Sequence, residues 1–185
     1  MLLRSFAAVW LAPFAIAASA QSPSDGGVQD GQYVNAYFHI SYAWPQILHP
    51  VPTSDIKPQA PPGSTTEYLL FVARQGEEPY GVVMMAEKPN PHPPMSNGEN
   101  DSQSFLDDVK KLWKPEGHAR ILAETHSTGT DGLAFYEIDY TYFGEFTSAI
   151  AVQVGEFQIV FRCSAKSITD LAEMTKSVLR MNRSR

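Results

Sequence analysis

From Ala119 to Ala165 four strand-length segments follow one another with only short polar gaps between them. "ARILAETH" and "LAFYEIDYTYF" flank the turn signal "STGTDG". "GEF" then precedes "TSAIAVQV", and Gly155-Glu156 precedes "FQIVFRCSA". Parallel neighbours need a crossover of about a dozen residues, so gaps this short admit only an antiparallel meander. A two-residue turn at 155–156, with Gly first as a type II′ hairpin prefers, sets Val154 opposite Phe157, Val152 opposite Ile159 and Ile150 opposite Phe161. A three-residue loop at 144–146 sets Tyr140 opposite Ile150 and Ile138 opposite Val152. Carrying that apolar face back sets Ile121 opposite Ile138 and Arg120 opposite Asp139.

The rest of the chain fits around this meander. "EYLLFVAR" and "YGVVMMAE" are nearly continuous apolar runs, as strands covered on both faces are. In "FHISYAW", Phe38, Ile40, Tyr42 and Trp44 share one face of a strand that Pro45 ends. Phe105, Leu106, Val109, Leu112 and Trp113 form a helical stripe, with Asp101 or Ser102 as N-cap. Ser167 with Asp170 reads as a capping box before a last helix whose stripe is Ile168, Leu171, Thr175, Val178 and Leu179. Residues 49–64 and 88–100 are proline-rich and unpatterned, and read as long loops.

The first twenty residues have another purpose. Arg4, the apolar run Phe6 to Ala17 and Ala18-Ser19-Ala20 match a signal peptide cleaved between Ala20 and Gln21. No second apolar segment is long enough to span a bilayer. Residues 21–30 are polar and Gly-rich and are expected to be a flexible leader, with order starting near Tyr33. Cleavage removes one Arg and no acid, taking the net charge from −6 to −7. An acidic chain without a basic cluster is a poor partner for nucleic acid. Cys163 is the one cysteine, so no intrachain disulfide forms and stability rests on burial.

Few residues carry chemistry. Cys163 shares a face with Ile159 and Phe161 and reads as a core thiol. His39, His49, His92, His118 and His126 show no spacing that converges on a metal, and no cofactor is expected. Glu137 and Asp139 project from one strand face about 7 Å apart, a spacing open to acid–base hydrolysis. The alternative is a solvated face with Asp139 paired to Arg120, and it is the stronger reading. Tyr136, Tyr140 and Tyr142 share a face with Ile138, which favours packing over a ligand-stacking platform. Val51, Ile56 and Met95 are apolar groups inside the proline-rich segments that no periodicity assigns to a core, and they make a candidate partner surface.

The whole order is hairpin, long loop, hairpin, helix, meander, terminal helix. With its opening "YVNAYFHISYAWP" and its closing "AVQVGEFQIVFRCSAKSITDLAEMTKSVLRMN", it resembles the PsbP-like family over residues 31–182. That family includes photosystem II accessory proteins and bacterial secreted proteins of unknown role. It shares its fold with a nuclear-transport factor that binds a small GTPase. The chain lacks the Trp that often follows the strand-ending Pro, since "QILHPVP" has none. The resemblance implies an α+β fold, an α/β/α sandwich around a twisted, mainly antiparallel sheet. It also implies accessory or adaptor roles without enzymatic activity, and it carries over no metal-site or partner-binding residue. The expected function is therefore an exported, non-catalytic binding domain for an envelope protein or small ligand. The alternative is a small exported hydrolase using Glu137 and Asp139.

Overall fold

The computed structural model describes residues 21–55, 67–88, 102–103, 106–107, 110, 119–129 and 131–184. Among the described residues the main sheet has seven strands: β4 (His49–Pro50), β5 (Glu67–Arg74), β6 (Gly81–Glu87), β7 (Ala119–Thr128), β8 (Ala134–Tyr142), β9 (Glu145–Val154) and β10 (Phe157–Ala165). Their order across the sheet is β4-β5-β6-β10-β9-β8-β7. A second sheet, β1-β2-β3-β11, joins Gly26–Gln29, Gln32–Asn35, Ile40–Tyr42 and Asn182–Arg183. Every strand pair among the described residues is antiparallel. With the C-terminal helix Ile168–Val178, the fold is α+β.

The core lies where the small sheet and the helix cover one face of the large one. Ile150, Val152, Ile159, Phe161 and Cys163 supply the large sheet's side of it. Leu171, Met174 and Val178 come from the helix, and Tyr33, Ile40 and Tyr42 from the small sheet. The aromatic opening segment therefore seats the small sheet. The Tyr42 ring meets Phe71 at 5.7 Å and Phe161 at 5.3 Å. Trp44 stacks on Phe71 at 5.0 Å, and Phe38 meets Phe157 edge-on at 5.2 Å. Aromatics bury large areas with directional ring contacts, so a few of them hold two sheets in register. Phe38 and His39 form the turn between β2 and β3 rather than part of one continuous strand, and His39 takes φ +52°.

On the opposite face Ile138, Tyr140, Ala149 and Ala151 form a smaller cluster. Leu106, from a helical stretch that includes Ser102, Gln103, Asp107 and Lys110, packs into it. Buried Ser102 donates its hydroxyl to Gln158 Oε1 at 2.6 Å, tying this stretch to β10. Phe105, Val109, Leu112 and Trp113 of the expected stripe lie outside the described residues. No helix among the described residues is long and apolar enough to cross a membrane.

The β9–β10 register is the expected one. Val154 pairs with Phe157, Val152 with Ile159 and Ile150 with Phe161, around Gly155 at φ +62°. The next register differs. Phe143 and Gly144 take φ +50° and +85° and close a two-residue turn of the I′ kind, so Tyr142 pairs with Glu145. Ile138 therefore faces Ala149 and Tyr140 faces Thr147, a shift of three that exchanges the two faces of β8. A bulge between Ile121 and Ala123 shifts β7 once more. Arg120 stands opposite Thr141 and Asp139 opposite Ala123, so the expected Arg120–Asp139 pair does not form.

Two further expectations change. Within the stretch read as a leader, Gly26–Gln29 pair with β2, and the Asn35 side-chain amide donates to the Pro23 carbonyl at 2.8 Å. A fully buried Asn needs partners, and it finds them in Pro23, the Tyr33 hydroxyl and the Phe38 N–H. The last helix starts as expected, with Ser167 Oγ accepting from the Asp170 N–H at 3.1 Å. Its buried stripe is Leu171, Met174 and Val178, while Ile168 is exposed. Residues at i, i+3 and i+7 align along one line of a helix, and Ile168 sits at the first turn, beyond the edge of that contact.

Candidate functional site

The exchange of faces on β8 decides where its carboxylates go. Glu137 lies opposite Ile150 and Asp139 opposite Ser148, and Ile150 in turn pairs with Phe161 and Ser148 with Cys163. Both acids thus sit on the face that carries the main core, not on a solvated one. Glu137 is 8% exposed. Ser148 Oγ donates to its Oε1 at 3.1 Å and Thr125 Oγ1 to its Oε2 at 3.2 Å, so β7 and β9 both hold the β8 carboxyl. Asp139 follows on the same face, and its Oδ1 is buried with no hydrogen-bond donor among the described residues.

Burial, then the neighbouring Asp139 charge, raises the Glu137 carboxyl above its ordinary pKa, while the two hydroxyl donors lower it. The same surroundings act on Cys163. Burial, then the charges of Glu137 and Asp139, raise its thiol well above the usual range, so it stays protonated and inert. A fully buried thiol beside Phe161 is the core position its sequence pattern indicates.

Acid–base hydrolysis needs a cleft in which a substrate reaches both carboxyls. A hollow of about 20 Å³ beside Glu137 has room for roughly one water. It is lined by Lys110, Glu124, His126, Tyr136 and Ile138, among others, and not by Asp139. Lys110 is held there by Glu124 at 2.9 Å and also by Asp107. His126 meets Tyr136 edge-on at 4.5 Å. Tyr136 and Tyr142 pack against the cluster of Ile138 and Tyr140, so the tyrosine row serves the second core.

The remaining candidates are dispersed. His49 lies in β4, whereas His92 and His118 lie outside the described residues. Among the described residues, no three His, Cys, Asp or Glu side chains gather in a way that could hold a metal. Val51 is half-buried, and its backbone N–H donates to the Val72 carbonyl at 2.8 Å, which extends the β4–β5 pairing. Ile56 and Met95 lie outside the described residues. The hydroxyl clamp of Thr125 and Ser148 escaped the sequence reading. Its one signal is the pair of hydroxyl residues opening the apolar strand "TSAIAVQV".

No family profile and no curated protein matches the chain. Among solved structures, the chain is similar to the solution structure of cyanobacterial PsbP (CyanoP) from Synechocystis sp. PCC 6803. The TM-score is 0.53 at 14% identity, over 85% of this chain and 96% of that one. The chain has a PsbP-like fold.

Proposed function

We propose that this PsbP-like chain is an exported, non-catalytic binding or accessory domain, with its layers arranged as an α/β/α sandwich. The observation that carries the reading is the closure of Glu137. The residue best suited to acid–base work is 8% exposed and already engaged by Ser148 and Thr125. A carboxyl committed in this way supports the fold rather than a reaction. Export rests on the signal-peptide pattern of residues 1–20, with cleavage between Ala20 and Gln21.

The contact surface in this reading is the pair of proline-rich segments, with Val51, Ile56 and Met95 as apolar anchors. Proline restricts the unbound chain and so lowers the ordering cost of binding. The test replaces residues 89–97 with a short Gly-Ser linker in the chain beginning at Gln21. Capture of a specific envelope protein by the wild type should be lost, with the melting temperature nearly unchanged. Undiminished capture by the variant removes that segment as the site, and an envelope form that still starts at Met1 removes export.

The raised Glu137 carboxyl is the one observation that favours the hydrolase reading, because a general acid must hold its proton near neutral pH. Under that reading Glu137→Gln abolishes a hydrolytic activity of the purified protein. Under the binding reading no such activity exists to lose.

A further inference from the structure

We propose that Glu137 and Asp139 hold one proton between them, and that this proton fastens the edge strand β7 to the main sheet. The geometry leaves a place for it. Asp139 Oδ1 is buried with no described N–H or O–H directed at it, and the carboxyl it adjoins on the same strand face is that of Glu137. Two ionised carboxylates offer only acceptors to each other, so a hydrogen bond between them requires a proton on one. Glu137 spends its two oxygens on Ser148 and Thr125, which leaves its acidic hydrogen free to point at Asp139.

Among the described residues, no cation stands by to replace that proton. From β9 the pair meets Ser148 and Ile150, and from β10 Phe161 and the neutral thiol of Cys163. From β7 it meets Ala123 and Thr125, while Arg120 lies exposed further along, opposite Thr141. The C-terminal helix packs on β9 and β10, with Glu173 and Lys176 exposed and Asp170 engaged by Ser167. Arg183 of the small sheet is exposed. Behind the sheet, Lys110 is occupied by Asp107 and Glu124, and His126 lies against Tyr136.

Strand β7 is the part of the sheet that depends on this arrangement. It is the end strand, it is broken by the bulge at Ile121–Ala123, and its side chains are mostly exposed. Thr125 is its side-chain tie to the buried carboxyl. Losing the proton sets two negative charges side by side under that tie.

The sign of the pH dependence follows. Glu137 holds its proton more tightly in the folded chain than in the unfolded one. Its contribution is therefore complete below the unfolded carboxyl value and drains away as pH rises through the folded one. The titration belongs to the pair as a unit. Glu87, raised by burial and then by Glu67, acts in the same sense and cancels in any comparison that leaves it unchanged.

The test compares the chain beginning at Gln21 with its Glu137→Gln and Asp139→Asn variants between pH 5 and pH 8. The side-chain amide of Glu137→Gln supplies a permanent N–H where the proton sat and does not titrate. Relative to that variant, the wild type should lose about 2–4 °C of melting temperature across the range. Asp139→Asn should flatten the profile only in part, because burial still raises the Glu137 carboxyl when the Asp139 charge is gone. At pH 8 the β7 amides should exchange hydrogen faster in the wild type than in Glu137→Gln, with β9 and β10 unchanged. Parallel melting profiles, or equal β7 exchange, overturn the proposal. Should neither variant fold, carboxyl carbon shifts of the wild type decide. One apparent pKa of the pair above the ordinary carboxylate range is expected, and two ordinary values overturn it.

Discussion

Replacing Phe161 with alanine should lower the unfolding free energy by about 3–5 kcal/mol, the range for truncating a buried aromatic. Phe161 is 0% exposed and stands mid-sheet, opposite Met84 on one side and Ile150 on the other. Its ring touches Tyr42 of the small sheet at 5.3 Å. The substitution therefore removes area from the large sheet and also part of the seat on which β3 rests. Neighbours held on three sides collapse poorly into the space, so a cavity cost adds to the lost burial. Urea denaturation of wild type and variant measures the difference. A loss below about 1 kcal/mol would mean that the small sheet is not seated on this residue.

Gly81→Ala should be nearly as damaging, at about 2–4 kcal/mol. Gly81 opens β6 at φ +156°, and a Cβ there would lie 2.0 Å from the Ala73 carbonyl oxygen and 2.9 Å from the Arg74 Cα. Both are backbone atoms of β5, which is itself held between β4 and β6. Relief requires parting two paired strands. Gly76 supplies the control, with φ +61° but nothing within 4 Å of its Cβ position. Gly76→Ala should cost only the conformational term, about 1–2 kcal/mol. Equal costs for the two variants would contradict the close approach at Gly81.

The contrast between registers shows what the sequence could reveal. Gly155-Glu156 has a glycine where a two-residue turn needs positive φ, so the β9–β10 pairing and the burial of Cys163 are readable from the chain. The preceding turn places Phe143 at φ +50°, a conformation a bulky residue rarely adopts. Nothing in Phe143 itself announces the turn. Apolar matching gives no correction, because β8 packs on both faces, with Phe135 in the main core and Ile138 and Tyr140 in the second. A shift of three then moves Glu137 and Asp139 from the apparent surface to the face that carries the main core, where Glu137 is buried and Asp139 half-buried. The bulge at Ile121–Ala123 has no glycine to mark it. Gly26 and Gly27 look like linker residues, and only the β2 edge gives them a place. Local turn chemistry is legible in a single chain, whereas the partners of a buried carboxyl depend on every register between them.

Glu137 is enclosed by the fold, and carbodiimide labelling of carboxyls, read by peptide mass, tests this most directly. In the native chain Glu137 should remain unmodified while the exposed Glu77 and Glu78 react, and after denaturation all three should react alike. Native labelling of Glu137 at the rate of Glu78 would mean an open, reagent-accessible carboxyl, and would return the pair to the catalytic reading.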